Sequence, residues 1–236
     1  MKLSSLQKGL VGHWTMSQDS LKGSLLADKT PYENDGTIYG ATFTTDRKGH
    51  ANKAMSFDGV DDYIDCGNKD SLDITSINYD GVTLAAWINI SSYDSYAGIV
   101  GKRQASTYSG YQLMPVFNVT DTIRFDVFGK QVSASFTLNK WVFVVGTYDN
   151  NIMKLYIDGE EQPQTREESN LLVHSSSNVY IGKLPYGNFL INGSIADVRI
   201  YNRALSEEEI TLLYNSYNSK IVMKTSLPKI KLYGGD

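Results

Sequence analysis

A single cysteine, Cys66, stands among 236 residues, so no disulfide can close within the chain. A disulfide-stapled secreted module is thereby excluded, although an extracellular location is not. Long apolar runs are missing too. The longest, Trp141 to Gly146 and Val82 to Trp87, are far too short to cross a bilayer, and no membrane insertion is expected. Met1 to Gln7 is too polar for a signal peptide, so the chain as written is not exported by a standard leader. A mature or trimmed chain would look the same. Basic excess is absent: the net charge of −4 argues against a nucleic-acid partner, which selects a basic face. Phosphate loops and nucleophile–base pairs are also missing. His13, His50 and His174 have neither metal-ligand spacing nor a paired nucleophile.

What is present is β structure. The chain holds 16 Tyr, 8 Phe and 3 Trp, with 20 Gly and only 5 Pro, a mix suited to strands joined by tight turns. Lys140 to Gly159 is a hairpin: a β-branched and aromatic run ends at Tyr148-Asp149, Asn150-Asn151 turns the chain, and an alternating strand returns to Asp158-Gly159. Similar segments recur from Leu10–Met16 and Thr37–Phe43 through Val82–Ile90, Tyr111–Phe117 and Thr122–Phe128 to Gly193–Tyr201. Asp-Gly and Asn-Gly pairs at 35–36, 58–59, 80–81, 158–159 and 192–193 punctuate them. No βαβ alternation is visible. The pattern predicts an all-β sandwich of two sheets.

One helix is expected, late in the chain. Ser206 is a good N-cap and Glu209 completes a capping box, with Ile210, Leu213, Tyr214 and Tyr217 on one face that docks on the sandwich. The domain is therefore assigned to 1–218. Beyond it, 219–236 is a basic C-terminal segment with Lys220, Lys224, Lys229 and Lys231 and a short alternating run, Lys229 to Tyr233. It reads either as a terminal tail or as an arm that adds a strand to a neighbour.

Six segments in order resemble the laminin G-like jelly-roll family of the concanavalin A-like lectin/glucanase superfamily. They are Gly9 to Trp14, Asp28 to Gly40 (DKTPYENDGTIYG), Ala54 to Gly67 (AMSFDGVDDYIDCG), Val82 to Ile88, the Trp141 to Gly159 hairpin, and Gly193 to Ser206 (GSIADVRIYNRALS). The resemblance implies two packed antiparallel sheets, one convex and one concave, closed by the C-terminal strand and short helix. It does not fix a ligand, because the fold hosts lectins, catalytic domains and structural modules alike. It also implies a structural calcium held by Asp28, Asn34 and Asp197, tying the two chain ends together without a disulfide. The alternative is a turn aspartate, a cap and a strand aspartate with no metal between them. Asp58, Asp61, Asp62 and Asp65 form a second acidic cluster, read as a solvated turn.

The superfamily's glucanases carry their carboxylates on one strand as a Glu-x-Asp-x-Glu-like run. The eight Glu of this chain all lie in turn, loop or helix-start segments, and none fits that pattern, so no enzyme is expected. Trp14, Trp87 and Trp141 sit inside apolar strand patterns and are assigned to the core. Candidate ligand residues are polar positions whose strand neighbours supply the core. In Thr122 to Phe128, Ile123, Phe125 and Val127 share one face, which leaves Arg124 and Asp126 on the other. Lys102, Gln104, Gln112 and Tyr186 are expected to join them across the concave face. An ordinary exposed sheet face is the alternative.

Two functions fit these residues. The first is a non-catalytic carbohydrate-recognition or adhesion module that binds a glycan or cell-surface polysaccharide on the concave face or rim loops, in an extracellular or surface setting. The second is a structural assembly protein of a virion, such as a phage decoration or tail component, whose C-terminal segment reaches other subunits.

Overall fold

The computed structural model describes residues 3–93, 96–117, 121–169 and 171–218. The basic segment 219–236, with its expected arm, lies outside the described residues. Among the described residues all strand pairs are antiparallel and form two nine-stranded sheets. The first runs β15 (Glu160–Glu161), β14 (Ile152–Ile157), β13 (Val142–Tyr148), β8 (Val82–Ser92), β18 (Asn192–Tyr201), β6 (Ala54–Asp58) and β5 (Thr42–Thr44). Here β1 (Leu10–Trp14) pairs with β18, and β16 (Arg166–Glu167) pairs with β14. The second runs β12 (Lys130–Ser135), β11 (Asp121–Val127), β10 (Gly110–Phe117), β9 (Val100–Arg103), β17 (Tyr180–Ile181), β7 (Tyr63–Asp65), β4 (Gly36–Tyr39), β3 (Leu25–Leu26) and β2 (Leu21–Lys22). The architecture is the expected jelly-roll sandwich.

Alternation along the strands builds the core between the sheets. Ile123, Phe125 and Val127 of β11 meet Val142 and Val144 of β13 and Leu84, Ala86, Ile88 and Ile90 of β8 in one buried cluster. The sheets approach closely at Gly146, where a Cβ would lie 2.3 Å from the Phe125 ring, so only glycine fits beneath that side chain. Cys66 is buried in the same cluster, and burial pushes its thiol well above the usual value, which makes it a packing residue and not a reactive one.

β8 is apolar on both faces, which explains its nearly unbroken hydrophobic run. Its Ala85 and Trp87 point away from the inner core and join Phe143 and Val145 of β13 in a second cluster. The helix α1 (Glu207–Asn218) covers that cluster with Ile210 and Leu213. Tyr214 and Tyr217 pack their rings on Trp87 at 5.8 and 5.7 Å. The capping box forms as the sequence predicts. Ser206 Oγ accepts the Glu209 N–H at 3.3 Å, and Glu209 Oε2 accepts the Ser206 N–H at 3.1 Å. All three tryptophans pack in or against these clusters, as expected.

Two local expectations change. The segment Thr37–Phe43 is not one strand: at Gly40 (φ 69°) the chain leaves the second sheet and enters the first as β5. Asn192-Gly193 is not a turn but the start of β18, where Gly193 pairs with Phe57 and Ile90 beside a β-bulge.

Candidate ligand-binding site

With α1 packed on the outer face of the first sheet, polar side chains gather on the outer face of the second. Register aligns them in rows. Gly101 of β9 stands opposite Gln112 of β10, Gln112 opposite Asp126 of β11, and Asp126 opposite Gln131 of β12. In the neighbouring row Met114 faces Arg124. A two-residue turn fixes the β11–β12 register, with Phe128 and Gly129 both left-handed at φ 52° and 75°. That turn aims the Gly129 N–H at Asp126 Oδ1, 3.0 Å away. Gly101 keeps the floor open, since a Cβ there would sit 2.7 Å from Gln112 Cβ.

Aromatic side chains rise around this floor and enclose a cavity of about 320 Å³, at the small end of the range for ligand pockets. Leu184 packs on Met114 and Val116, and this small apolar cluster supports Tyr186 and Phe189. The Phe189 ring lies edge-on to Tyr96 at 6.0 Å and to Tyr186 at 6.1 Å. Tyr108, 55% exposed, comes from the loop joining β9 to β10. The Arg103 guanidinium lies 4.6 Å from the Tyr108 ring centre and 5.0 Å from that of Tyr186.

The polar groups below are deeply buried yet incompletely paired. Gln112 is 1% exposed, Asp126 4% and Arg103 7%. Gln112 Nε2 donates to the Tyr186 hydroxyl at 3.2 Å, while its Oε1 has no partner. Arg103 Nε and Arg124 Nε are likewise buried without a hydrogen bond, and Arg103 Nε stands 3.7 Å from Asp126 Oδ1, beyond bonding distance. Burial pushes the Asp126 carboxyl up from its ordinary value, against the opposing pull of Arg103, the Gly129 amide and Arg124. Buried polar atoms are normally satisfied. Three residues that line one cavity thus each carry an unsatisfied polar atom just beneath its surface.

Four of the six residues expected to contact ligand, Gln112, Arg124, Asp126 and Tyr186, line this cavity. Lys102 does not. It is opposite Tyr111 in the register and points into the sandwich, 0% exposed, where its ammonium binds Asn68 Oδ1 and the Ser177 carbonyl. Gln104 lies past the end of β9, with its amide oxygen near Ser176 Oγ at 3.4 Å. Arg103, Tyr108, Gln131 and Phe189 were not anticipated. The two-residue Phe128-Gly129 turn could have placed Gln131 opposite Asp126, but nothing local marks Arg103 over its neighbour Lys102.

The three residues expected to hold calcium belong to one hydrogen-bond network. Asp28 accepts the His13 and Thr30 N–H groups on Oδ1, at 2.9 and 3.0 Å. Its Oδ2 takes the Thr30 hydroxyl at 2.7 Å and the Asn34 N–H at 2.9 Å. The Asn34 carbonyl accepts the Trp14 indole N–H, and its side-chain oxygen accepts Ser71. Asp197 pairs with Arg199 Nε and His13 Nε2, both at 2.8 Å. Burial pushes the Asp197 carboxyl up, but Arg199 and His13 outweigh it and hold it far below the usual range. These oxygens already accept protein donors, and the Arg199 cation beside Asp197 opposes a second cation there. His13 itself ties the two ends, with its amide on Asp28 and its ring on Asp197. Asp58, Asp61 and Asp62 bring carboxylate oxygens within 4.8 Å of one another, whereas Asp65 turns away to bond Asn178.

Two other cavities suit a ligand less well. One of about 210 Å³ beside Asp58, Tyr93 and Asn192 contains no orphaned polar atom among its lining residues. Another, between Arg47, Trp87 and Tyr217, also has three orphaned atoms on its lining residues, but at about 140 Å³ it has room for several waters and not for a saccharide. No helix among the described residues is long and apolar enough to cross a membrane.

A laminin G family model, described as Concanavalin A-like lectin/glucanases superfamily, matches residues 58–211. Among curated proteins the chain is similar to Adhesion G-protein coupled receptor V1 of Danio rerio, 24% identical over 144 residues. That match covers 56% of this chain but only 2% of the receptor. Among solved structures it is similar to domain 4 of AbnA, a GH43 extracellular arabinanase from Geobacillus stearothermophilus, in complex with arabinotriose. The TM-score is 0.66 at 16% identity, covering 87% of this chain and 98% of that domain. The botulinum neurotoxin serotype G binding domain superposes with a TM-score of 0.67 at 16% identity, covering 89% of this chain and 51% of the toxin domain. The binding domain of Paraclostridial Mosquitocidal Protein 1 gives 0.65 at 16%, covering 90% and 53%. At such identities the likeness is one of fold.

Proposed function

The chain belongs to the laminin G-like family of the concanavalin A-like lectin/glucanases superfamily, and from that premise we propose that it is a non-catalytic carbohydrate-recognition module. The sugar sits in the cavity on the outer face of the second sheet. The observation that carries this reading is the set of orphaned Gln112 Oε1, Arg103 Nε and Arg124 Nε beneath an aromatic rim. Sugars present both needs at once: hydroxyls for the polar floor, and C–H faces for Tyr108, Tyr186 and Phe189. The complex of the arabinanase domain with arabinotriose, and the likeness to toxin binding domains, support a binding module. They also support an extracellular or cell-surface setting, since the arabinanase is itself extracellular.

Catalysis fits the site poorly. Hydrolysis of a glycoside needs two carboxylates about 5–9.5 Å apart, and Asp126 is the lone carboxylate among the described lining residues. Calcium has no part in this reading, because Asp28, Asn34 and Asp197 do not line the cavity.

A glycan array probed with purified protein, in calcium and after chelation, tests the proposal. Specific binding that survives chelation and is lost in Gln112→Ala and Tyr186→Ala supports it. A blank array with the fold intact overturns it and favours the assembly role, with the jelly roll as scaffold.

A further inference from the structure

We propose that the sugar this cavity takes is anionic and carries a carboxylate, as a uronic or sialic acid residue does. The inference rests on the cavity being a sugar site and narrows its ligand. Its basis is a charge imbalance. Among the lining residues the charged groups are Arg103, Arg124 and Asp126, two cations against one anion. Arg103 is 7% exposed and Asp126 4%. A guanidinium does not deprotonate in a protein, so the site cannot neutralise itself by releasing a proton.

Asp126 answers only part of this charge. Its Oδ1 already accepts the Gly129 N–H and stays 3.7 Å from Arg103 Nε. Nε of each guanidinium is buried without a hydrogen-bond partner among the described residues. The Arg103 guanidinium carbon lies over the Tyr108 and Tyr186 rings, which offer it no carboxylate acceptor. A planar carboxylate matches such a fork with two parallel bonds. A neutral sugar would expel water from the cavity and leave one positive charge desolvated and unanswered. A carboxylated sugar supplies the missing counter-charge.

Calorimetry on the intact protein with two matched pairs tests this. The pairs are trigalacturonic acid against its methyl ester, and 3′-sialyllactose against lactose, so uronate and sialate chemistry are separated. At least one acid should bind about tenfold tighter than its neutral partner, the ratio expected of one added charge-assisted contact. Raising the salt should shrink that advantage. Arg124→Gln should reduce the acid's advantage to near parity, whatever it does to the neutral sugar. Neutral sugars binding as tightly as the acids would overturn the anionic reading and leave the sugar site standing. No binding by any saccharide, here or on the wider array, would remove both.

Discussion

Replacing Lys102 by methionine tests the register of the second sheet, because it separates a core lysine from a ligand lysine. Lys102 is fully buried, and burial lowers its ammonium from 10.5 to about 8, with Asp73 pulling the other way. At about 1.4 kcal/mol per pH unit, that displacement is worth roughly 3 kcal/mol of stability. The sign follows from proton counting. Between pH 8 and 10.5 the unfolded chain holds this proton and the native protein has released it, so stability rises with pH across that window. Below pH 8 the full penalty of a buried charge is present. At pH 7, Lys102→Met removes that penalty and fills similar volume, but it leaves Asn68 Oδ1 and the Ser177 carbonyl without their donor, a loss of about 1–3 kcal/mol. The variant should therefore equal the wild type or exceed it by about 1 kcal/mol at pH 7, as buried ions replaced by apolar groups often do. At pH 10.5 it should be about 2 kcal/mol less stable. Urea unfolding followed by tryptophan fluorescence at intervals from pH 7 to 10.5 measures the difference, which cancels the titration of the other groups. A pH-independent difference, or a loss above about 3 kcal/mol at pH 7, would refute the buried placement.

Other outcomes follow from the His13 network. Asp197→Asn leaves Arg199 without its counter-charge and should destabilise by about 3 kcal/mol at neutral pH in thermal or urea melts. Because the native Asp197 carboxyl is held below its unfolded value, its stabilisation is present at neutral pH. It is lost as pH falls below the ordinary carboxylate range, so wild type and variant should converge in acid. Chelation with EDTA, or added millimolar calcium, should leave Tm unchanged within about 1 °C. A structural ion at a hundred times its Kd would add about 2.7 kcal/mol and shift Tm by several degrees.

Much of this arrangement was legible in the residues, and the limits are instructive. The parity of Ile123, Phe125 and Val127 placed Arg124 and Asp126 outside, because strand periodicity is local and a buried face is strongly selected. Ser206 and Glu209 foretold the helix start for the same reason. Lys102 misled because Val100-Gly101-Lys102-Arg103 carries no alternation. Its facing is set across the sheet by pairing with Tyr111 and by a buried carbonyl that no neighbouring residue announces. The partners of Asp28 and Asp197 were hidden likewise, since His13 reaches Asp197 across 184 positions of chain. The aromatic rim arrives from separate loops at Tyr96, Tyr108 and 186–189. Only the closed fold brings them over one floor.

The central claim is that a saccharide occupies the outer face of the second sheet. Amide and side-chain NMR, titrated with the tightest saccharide from the array, tests it most directly. The account predicts the largest shifts at Gly101, the Gln112 side-chain amide, Arg124 and Gly129. Shifts confined to the 58–62 turn, or to α1 and Trp87, would contradict it.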